Sequence, residues 1–229
     1  MKDKILFVVT SHGELGDTGK KTGYFLSEVT HPWSILGKYY DIDVVSPKGG
    51  RPPVDGFDLS DSINAEFWKD EAWQKKMGET MTPEEVKPSL YKAIFYAGGH
   101  GAMWDFPHNE KLAEIAAEIY ERGGFVAAVC HGPAGLLPIK LSDGEVFVKG
   151  KKLTGFTNPE EYANGTADIV PFLLETALEN EGALFQEGAM WSDHVVVDGR
   201  LITGQNPMSA LSLGQTLLKA LKDFSAPQA

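Results

Sequence analysis

The chain holds one cysteine, Cys130, and the residues around it are the first sign of chemistry. It follows the apolar run Phe125–Val129 and precedes His131, Gly132 and Pro133. A thiol placed there sits where a buried strand gives way to a helix. The helix N-terminus favours negative charge, which lowers a thiol pKa and raises the fraction present as the nucleophilic thiolate. Gly132 lets the chain turn sharply, as in a nucleophile elbow. A lone cysteine is more often an inert core residue. The strand-end position beside a histidine turns the reading toward a reactive one. Consecutive residues on a helix do not face each other, so His131 reaches the thiol only through an elbow. Without that elbow it is a capping or solvent-facing side chain.

Three further segments carry candidate groups. Gly98-Gly99-His100-Gly101 closes another strand-like run, and glycines there let backbone N–H groups approach a ligand. Two such groups near a thiol make an oxyanion hole; alone, the pair reads equally as a tight turn. Glu28 lies near the start of the first helical stretch. It is either a surface carboxylate favoured by the helix dipole or a buried acid facing the thiol and carrying protons. Glu160 and Glu161 follow Thr157-Asn158-Pro159, where either could orient a histidine or both could be solvated. His31, His100, His108 and His194 are read as structural or exposed.

These groups need a frame. Lys4–Thr10 is apolar and β-branched, as in a buried parallel strand. A Gly-rich loop extends from there to Gly23. Helical spacing covers 25–39, and Pro32 inside it requires the helix to start near that proline or to hold it in the first turn. Asp41–Ser46 is a second strand, Ala93–Ala97 a third and Phe125–Val129 a fourth. Asn109–Arg122 has a helical apolar period, with Asn109 as N-cap and Gly123-Gly124 as stop. Leu153–Phe156 is short and strand-like, Pro171–Asn180 helical, and Asp198-Gly199 links two short strands as a hairpin. A last helix covers Ala210–Leu221. Repeated strand–helix units predict an α/β fold, with a mostly parallel sheet and helices on both faces. Residues 51–90 interrupt the alternation with Pro52-Pro53, Pro83 and Pro88 around an amphipathic stretch, Ala65–Met77. They read as a cap inserted into one domain spanning 1–229. Parallel sheets place their sites beyond the carboxyl ends of the strands, so Ser11–Gly23, Gly98–Trp104 and Cys130–Gly135 should gather on one edge.

Composition narrows the function classes. The chain has 229 residues, 42% hydrophobic and 23% charged, as in a globular domain with a core. Its formal net charge of −11 disfavours nucleic acid and anionic membrane as partners. No apolar run approaches the roughly 20 residues that span a bilayer. The N-terminus shows no secretory pattern, so a cytoplasmic location is expected. One cysteine allows neither an internal disulfide nor a cysteine-based zinc site within one chain.

Phe125-Val-Ala-Ala-Val-Cys-His-Gly-Pro-Ala134, with Ala97-Gly-Gly-His-Gly101 upstream, resembles the PfpI-like superfamily, whose class I glutamine-amidotransferase-like members share a flavodoxin-like fold. The heat-shock chaperone and glutathione-independent glyoxalase branch is the most similar. Glu28 in Ser-Glu-Val-Thr-His-Pro, Gly150-Lys-Lys-Leu-Thr-Gly-Phe-Thr157 and Asp198-Gly-Arg-Leu-Ile-Thr-Gly-Gln-Asn-Pro207 extend the likeness in the same order. The resemblance implies that Cys130 is the nucleophile, Glu28 the acid hydrogen-bonded to it and His131 the catalytic histidine. It implies that Glu161, the better alignment, supports that histidine, with Glu160 the second choice; Asn158-Pro159 beside them departs from the family pattern. Gly99 and the His131 backbone N–H correspond to the oxyanion hole. It also implies a homodimer, and a cap at 51–90 that smaller members lack.

The implied activity is conversion of methylglyoxal, a small 2-oxoaldehyde, to lactate through a cysteine hemithioacetal, with no cofactor and no metal. Glu28 or His131 would move the proton between carbons. Deglycation of glycated proteins by the same thiol is a related possibility. A holdase acting on unfolded proteins would need exposed apolar surface, for which Phe67, Trp68 and Trp73 are candidates, although they read better as the cap's own core. A redox sensor and a cysteine peptidase stand behind these.

Overall fold

In the computed structural model, which describes residues 2–225, six strands form the central sheet. They are β1 (Lys4–Val8), β2 (Asp41–Val45), β3 (Tyr91–Tyr96), β4 (Phe125–Val129), β5 (Val195–Asp198) and β6 (Leu201–Gly204). Their order is β2-β1-β3-β4-β6-β5. Every pairing is parallel except β6 with β5, the hairpin turned at Gly199. Ile5, Leu6, Phe7 and Val8 are wholly buried, and so is Val126–Val129. This is why the inner strands read as continuous apolar runs rather than alternating ones.

The chain leaves β1 for β2 on one side, and β3 then enters on the other. Such a reversal opens a crevice beyond the carboxyl ends of the strands. β3 and β4 end beside it, so the segments leading out of them converge there.

Eight helices surround the sheet: α1 (Leu26–Leu36), α2 (Ser62–Lys69), α3 (Glu71–Gly78), α4 (Ala102–Asp105), α5 (Glu110–Glu121), α6 (Asn158–Ala163), α7 (Leu174–Asn180) and α8 (Ala210–Ser225) among the described residues. α1 packs on α8, α8 on β4 and β6, and α5 on β3 and β4. No helix among the described residues is long and apolar enough to cross a membrane.

Several boundaries differ from the sequence reading. α1 begins at Leu26 and carries Pro32 in its interior, past the first turn. The lost backbone bond is outweighed by packing: Gly214 of α8 lies so close that a Cβ there would sit 2.9 Å from the Pro32 Cα. The amphipathic stretch 65–77 is two helices broken at Asp70. That residue ends α2 and caps α3, accepting from the N–H groups of Ala72 (2.9 Å) and Trp73 (3.1 Å). α7 starts at Leu174, after Pro171 has kept its own neighbourhood irregular.

Residues 51–90 run from a two-residue strand, Val54–Asp55, paired with Tyr24–Phe25, through α2 and α3 and back to the sheet at Tyr91. Of their aromatic residues Phe67 faces inward, Trp68 and Trp73 are half-buried, and Phe57 is exposed. Phe67 is fully buried, with its ring 5.1 Å from Trp33 and 5.4 Å from Trp73.

Candidate active site

Val129 ends β4, and Cys130 takes a left-handed conformation with φ 59°. A residue with a Cβ adopts it at a cost of roughly 1–2 kcal/mol. The neighbours hold it there. The Cys130 N–H donates to Gly204 O (3.0 Å), and its carbonyl accepts from the Phe156 N–H (2.8 Å). The strained residue of the elbow is therefore the nucleophile candidate itself. Gly132, expected to supply the turn, is needed for space instead: a Cβ on it would lie 2.2 Å from Tyr96 O.

Beyond His131 the chain makes a five-residue 3₁₀ turn, Gly132–Leu136, not an α-helix. The helix dipole expected to acidify the thiol is accordingly small. Burial and the neighbouring Glu28 push the Cys130 thiol well above its ordinary range. The N–H groups of Gly99 and His131 point at the sulfur and pull the other way. Gly99 has φ 100°, and a Cβ on it would lie 2.0 Å from Gly23 O, so the loop can bring its N–H to the sulfur only as glycine.

Glu28, in the first turn of α1, is fully buried. Its Oε2 accepts from the Gly98 N–H at 2.6 Å. Burial raises its pKa to about 8, against the opposing pull of the Cys130 thiol and the Gly98 N–H. Oε1 meets no partner at full hydrogen-bond geometry. At neutral pH the pair is therefore a carboxylic acid beside a thiol, both uncharged.

His131 is fully buried, and its two nitrogens have different tasks. Nδ1 lies 3.4 Å from Cys130 Sγ, and Nε2 lies 2.6 Å from Glu161 Oε2. Glu161 is held well below the usual carboxylate range by the two histidines beside it, in spite of burial. An ionised carboxylate only accepts, so His131 Nε2 carries the proton and Nδ1 presents a lone pair to the thiol. Burial, and then His100, keep the His131 pKa below its ordinary value.

The structure brings together Cys130, His131, Glu28, Glu161 and Gly99. It separates Glu160 from them. Glu160 is also buried, but its Oε2 accepts from Thr157 N–H and O–H (3.1 Å each). Its Oε1 accepts from Trp191 N–H (2.8 Å), Gln205 Nε2 (3.1 Å) and Asn206 Nδ2 (2.8 Å). This carboxylate ties α6 to the loop that carries Trp191, itself left-handed at φ 57°.

His100 corrects the sequence reading, which left it structural or exposed. Its Nε2–H donates to Glu161 Oε1 at 2.9 Å, and its ring centroid lies 4.2 Å from that of His131. Thr166 Oγ1 also donates to Glu161 Oε1. The signal for His100 was its place directly after β3, in the glycine loop already singled out. His31, also read as structural or exposed, lines the same cleft, with its Nε2 2.8 Å from Asp61 Oδ2. Phe156, which closes on the site beside Trp191 with ring centroids 5.6 Å apart, lay in the quoted Gly-Phe-Thr157 run, whereas Trp191 had no comparable signal. The cleft over Cys130 has a volume of about 950 Å³, and Phe25, Phe57, Phe156 and Trp191 give it apolar walls.

A family model described as the DJ-1/PfpI family matches residues 21–220. The chain belongs to that family. It is 33% identical over 240 residues to "Glyoxalase 3" of Candida albicans, covering 96% of this chain and 98% of the relative. It is 35% identical over 239 residues to a glutathione-independent glyoxalase of Saccharomyces cerevisiae, again with 96% and 98% covered. Among solved structures, glyoxalase III of Candida albicans superposes with a TM-score of 0.88 at 32% identity, over 95% of this chain and 97% of that one. The Rapid Encystment Protein of Francisella tularensis gives 0.92 at 39% identity, over 96% and 99%. The mostly parallel sheet flanked by helices is the fold of this family.

Proposed function

We propose that this DJ-1/PfpI protein is a glutathione-independent glyoxalase that converts methylglyoxal to lactate, with Cys130 as its nucleophile. The observation that carries the reading is a built-in thiol within reach of a histidine lone pair, beside a buried carboxyl group of pKa about 8. Glyoxalase chemistry needs a thiol to capture the aldehyde, and here the chain supplies it in place of glutathione. The names of the relatives, similar over nearly the whole chain, support the same reading.

Cys130 Sγ attacks the aldehyde carbon, and the thiol proton passes to His131 Nδ1. The imidazolium is stabilised by Glu161 and returns the proton to the new oxygen, completing the hemithioacetal. The N–H groups of Gly99 and His131 stabilise the transient oxyanion. The ionised fraction of Glu28 then takes the C1 proton and returns it to C2 through an enediol, while the C1 hydroxyl proton passes to the C2 oxygen; a pKa near the working pH suits both carbon proton transfers. C1 is now a thioester and C2 an alcohol, so oxidation and reduction balance within the substrate. Water hydrolyses the thioester, releasing lactate and the thiol. His131 is the alternative shuttle for the carbon-bound proton.

The test is lactate formation from methylglyoxal without glutathione, by freshly reduced protein. The expected outcome is turnover in the wild type, none in Cys130→Ala and a fall of about 10²-fold or more in Glu28→Gln. Absence of turnover in the wild type, or full turnover in Cys130→Ala, overturns the reading.

A further inference from the structure

His100, His131 and Glu161 offer two imidazole nitrogens and a carboxylate oxygen, all within 4.8 Å of one another. His131 lies 30 residues and His100 61 residues from Glu161, so no spacing motif announces the set. The carboxylate sits between the rings. Oε2 is 2.6 Å from His131 Nε2, and Oε1 is 2.9 Å from His100 Nε2. At present two N–H protons fill the space among these atoms. A cation with metal–ligand distances of about 2.0–2.2 Å would fill the same space after the ligands spread by roughly half an ångström.

The surroundings meet the other needs of a metal site. The Glu161 and His131 side chains are only 2% and 0% exposed, which holds both in place. The His100 side chain is 15% exposed and lines the cleft, giving an entry path and an open coordination position. Thr166 Oγ1 donates to Glu161 and fixes the carboxylate from outside the ligand set. Cys130 Sγ lies beside the opposite nitrogen of the His131 ring, so it is not part of the set.

We infer that His100, His131 and Glu161 form a binding site for a borderline divalent cation of the zinc class, and that its occupation switches off Cys130. Two imidazoles select such a cation over magnesium or calcium, which take oxygen ligands. The switch lies in the tautomer. A metal on His131 Nε2 displaces the proton there, and the neutral ring must carry its one proton on Nδ1, beside the sulfur. Nδ1 then donates instead of accepting, and it cannot take the thiol proton. Metal occupancy and thiol activation exclude each other at one ring.

Cobalt(II) is the direct probe, added to chelator-treated, reduced full-length chain. Wild type and Cys130→Ala should each bind one ion with visible d–d absorption and without an intense thiolate-to-cobalt band. Zinc should displace it. His100→Gln should weaken binding about tenfold or more, as loss of one ligand requires, while His31→Gln should leave it unchanged. No uptake at millimolar cobalt, loss of binding in Cys130→Ala, or unchanged affinity in His100→Gln overturns the inference. The readout is binding, so an inactive glyoxalase assay would leave this result standing. With methylglyoxal as substrate, zinc should also inhibit lactate formation reversibly, with recovery on chelation.

Discussion

At the scale of single residues, the site works by opposing environments on two carboxyl groups. Glu161 is surrounded by donors and stays ionised; Glu28 is fully buried, and its one N–H donor, Gly98, and the Cys130 thiol do not offset that burial, so it stays protonated near neutrality. Glu28 therefore leaves a signature in the stability of the fold. Its folded pKa, about 8, lies above the ordinary 4.5, so the folded state holds a proton that the unfolded chain has released across that window. Stability is full below pH 4.5 and falls as pH rises toward 8. Asp105, raised from 3.8 to about 6 by burial, adds the same sign lower down. His131, depressed below 6.5, acts oppositely and only below that pH. The window from 6.5 to 8 thus belongs to Glu28 among these three groups. Denaturant melts should show the wild type losing on the order of a few kcal/mol across that window. Glu28→Gln, which keeps an acceptor for Gly98 without the charge, should show a flat profile there.

At the scale of elements, one short helix does two jobs through adjacent residues. α6 presents Glu161 to the histidines, while Glu160 anchors the loop bearing Trp191. The capping box of Thr157 with Glu160 fixes the helix start, so both side chains leave it in defined directions. The two substitutions should separate. Glu161→Gln removes the charge that fixes the His131 tautomer and should lower kcat by about 10²-fold or more, with a small change in melting temperature. Glu160→Ala leaves several buried donors unpaired and should cost roughly 2–4 kcal/mol of stability. Its kcat should fall far less, with the loss appearing in KM as the Trp191 wall loosens. Melting curves beside steady-state kinetics decide between this division and its reverse.

At the scale of the whole molecule, the net charge of −11 sets the long-range field, but the proposed substrate is uncharged. Steering cannot contribute to its capture. Turnover of methylglyoxal should thus change by less than about twofold between roughly 0.05 and 0.5 M salt, although the Debye length falls severalfold. A strong salt dependence would mean that an ionic group takes part in substrate binding. The homodimer implied by the resemblance is read directly by light scattering, against a chain mass of 25.0 kDa.

The sequence alone was enough for the strand–helix alternation, because buried parallel strands must be apolar on both faces and their helices must carry a 3.6-residue period. It also marked the strand ends where chemistry gathers, through Gly98-Gly99 and Cys130-His131. Family likeness added roles for Glu28 and Glu161. Local pattern failed where packing outweighed propensity: Pro32 inside α1, held against Gly214, and the 3₁₀ turn after Cys130 in place of a helix. Only the tertiary structure gave the direction of the thiol shift, since burial and a neighbour 102 positions away along the chain (130 − 28) outweigh the local dipole. Only it distinguished the surroundings of Glu161 from those of Glu160, and brought His100 to the same carboxylate. The choice turns on distances between residues remote in sequence, and those distances exist only once the sheet has brought its strand ends together.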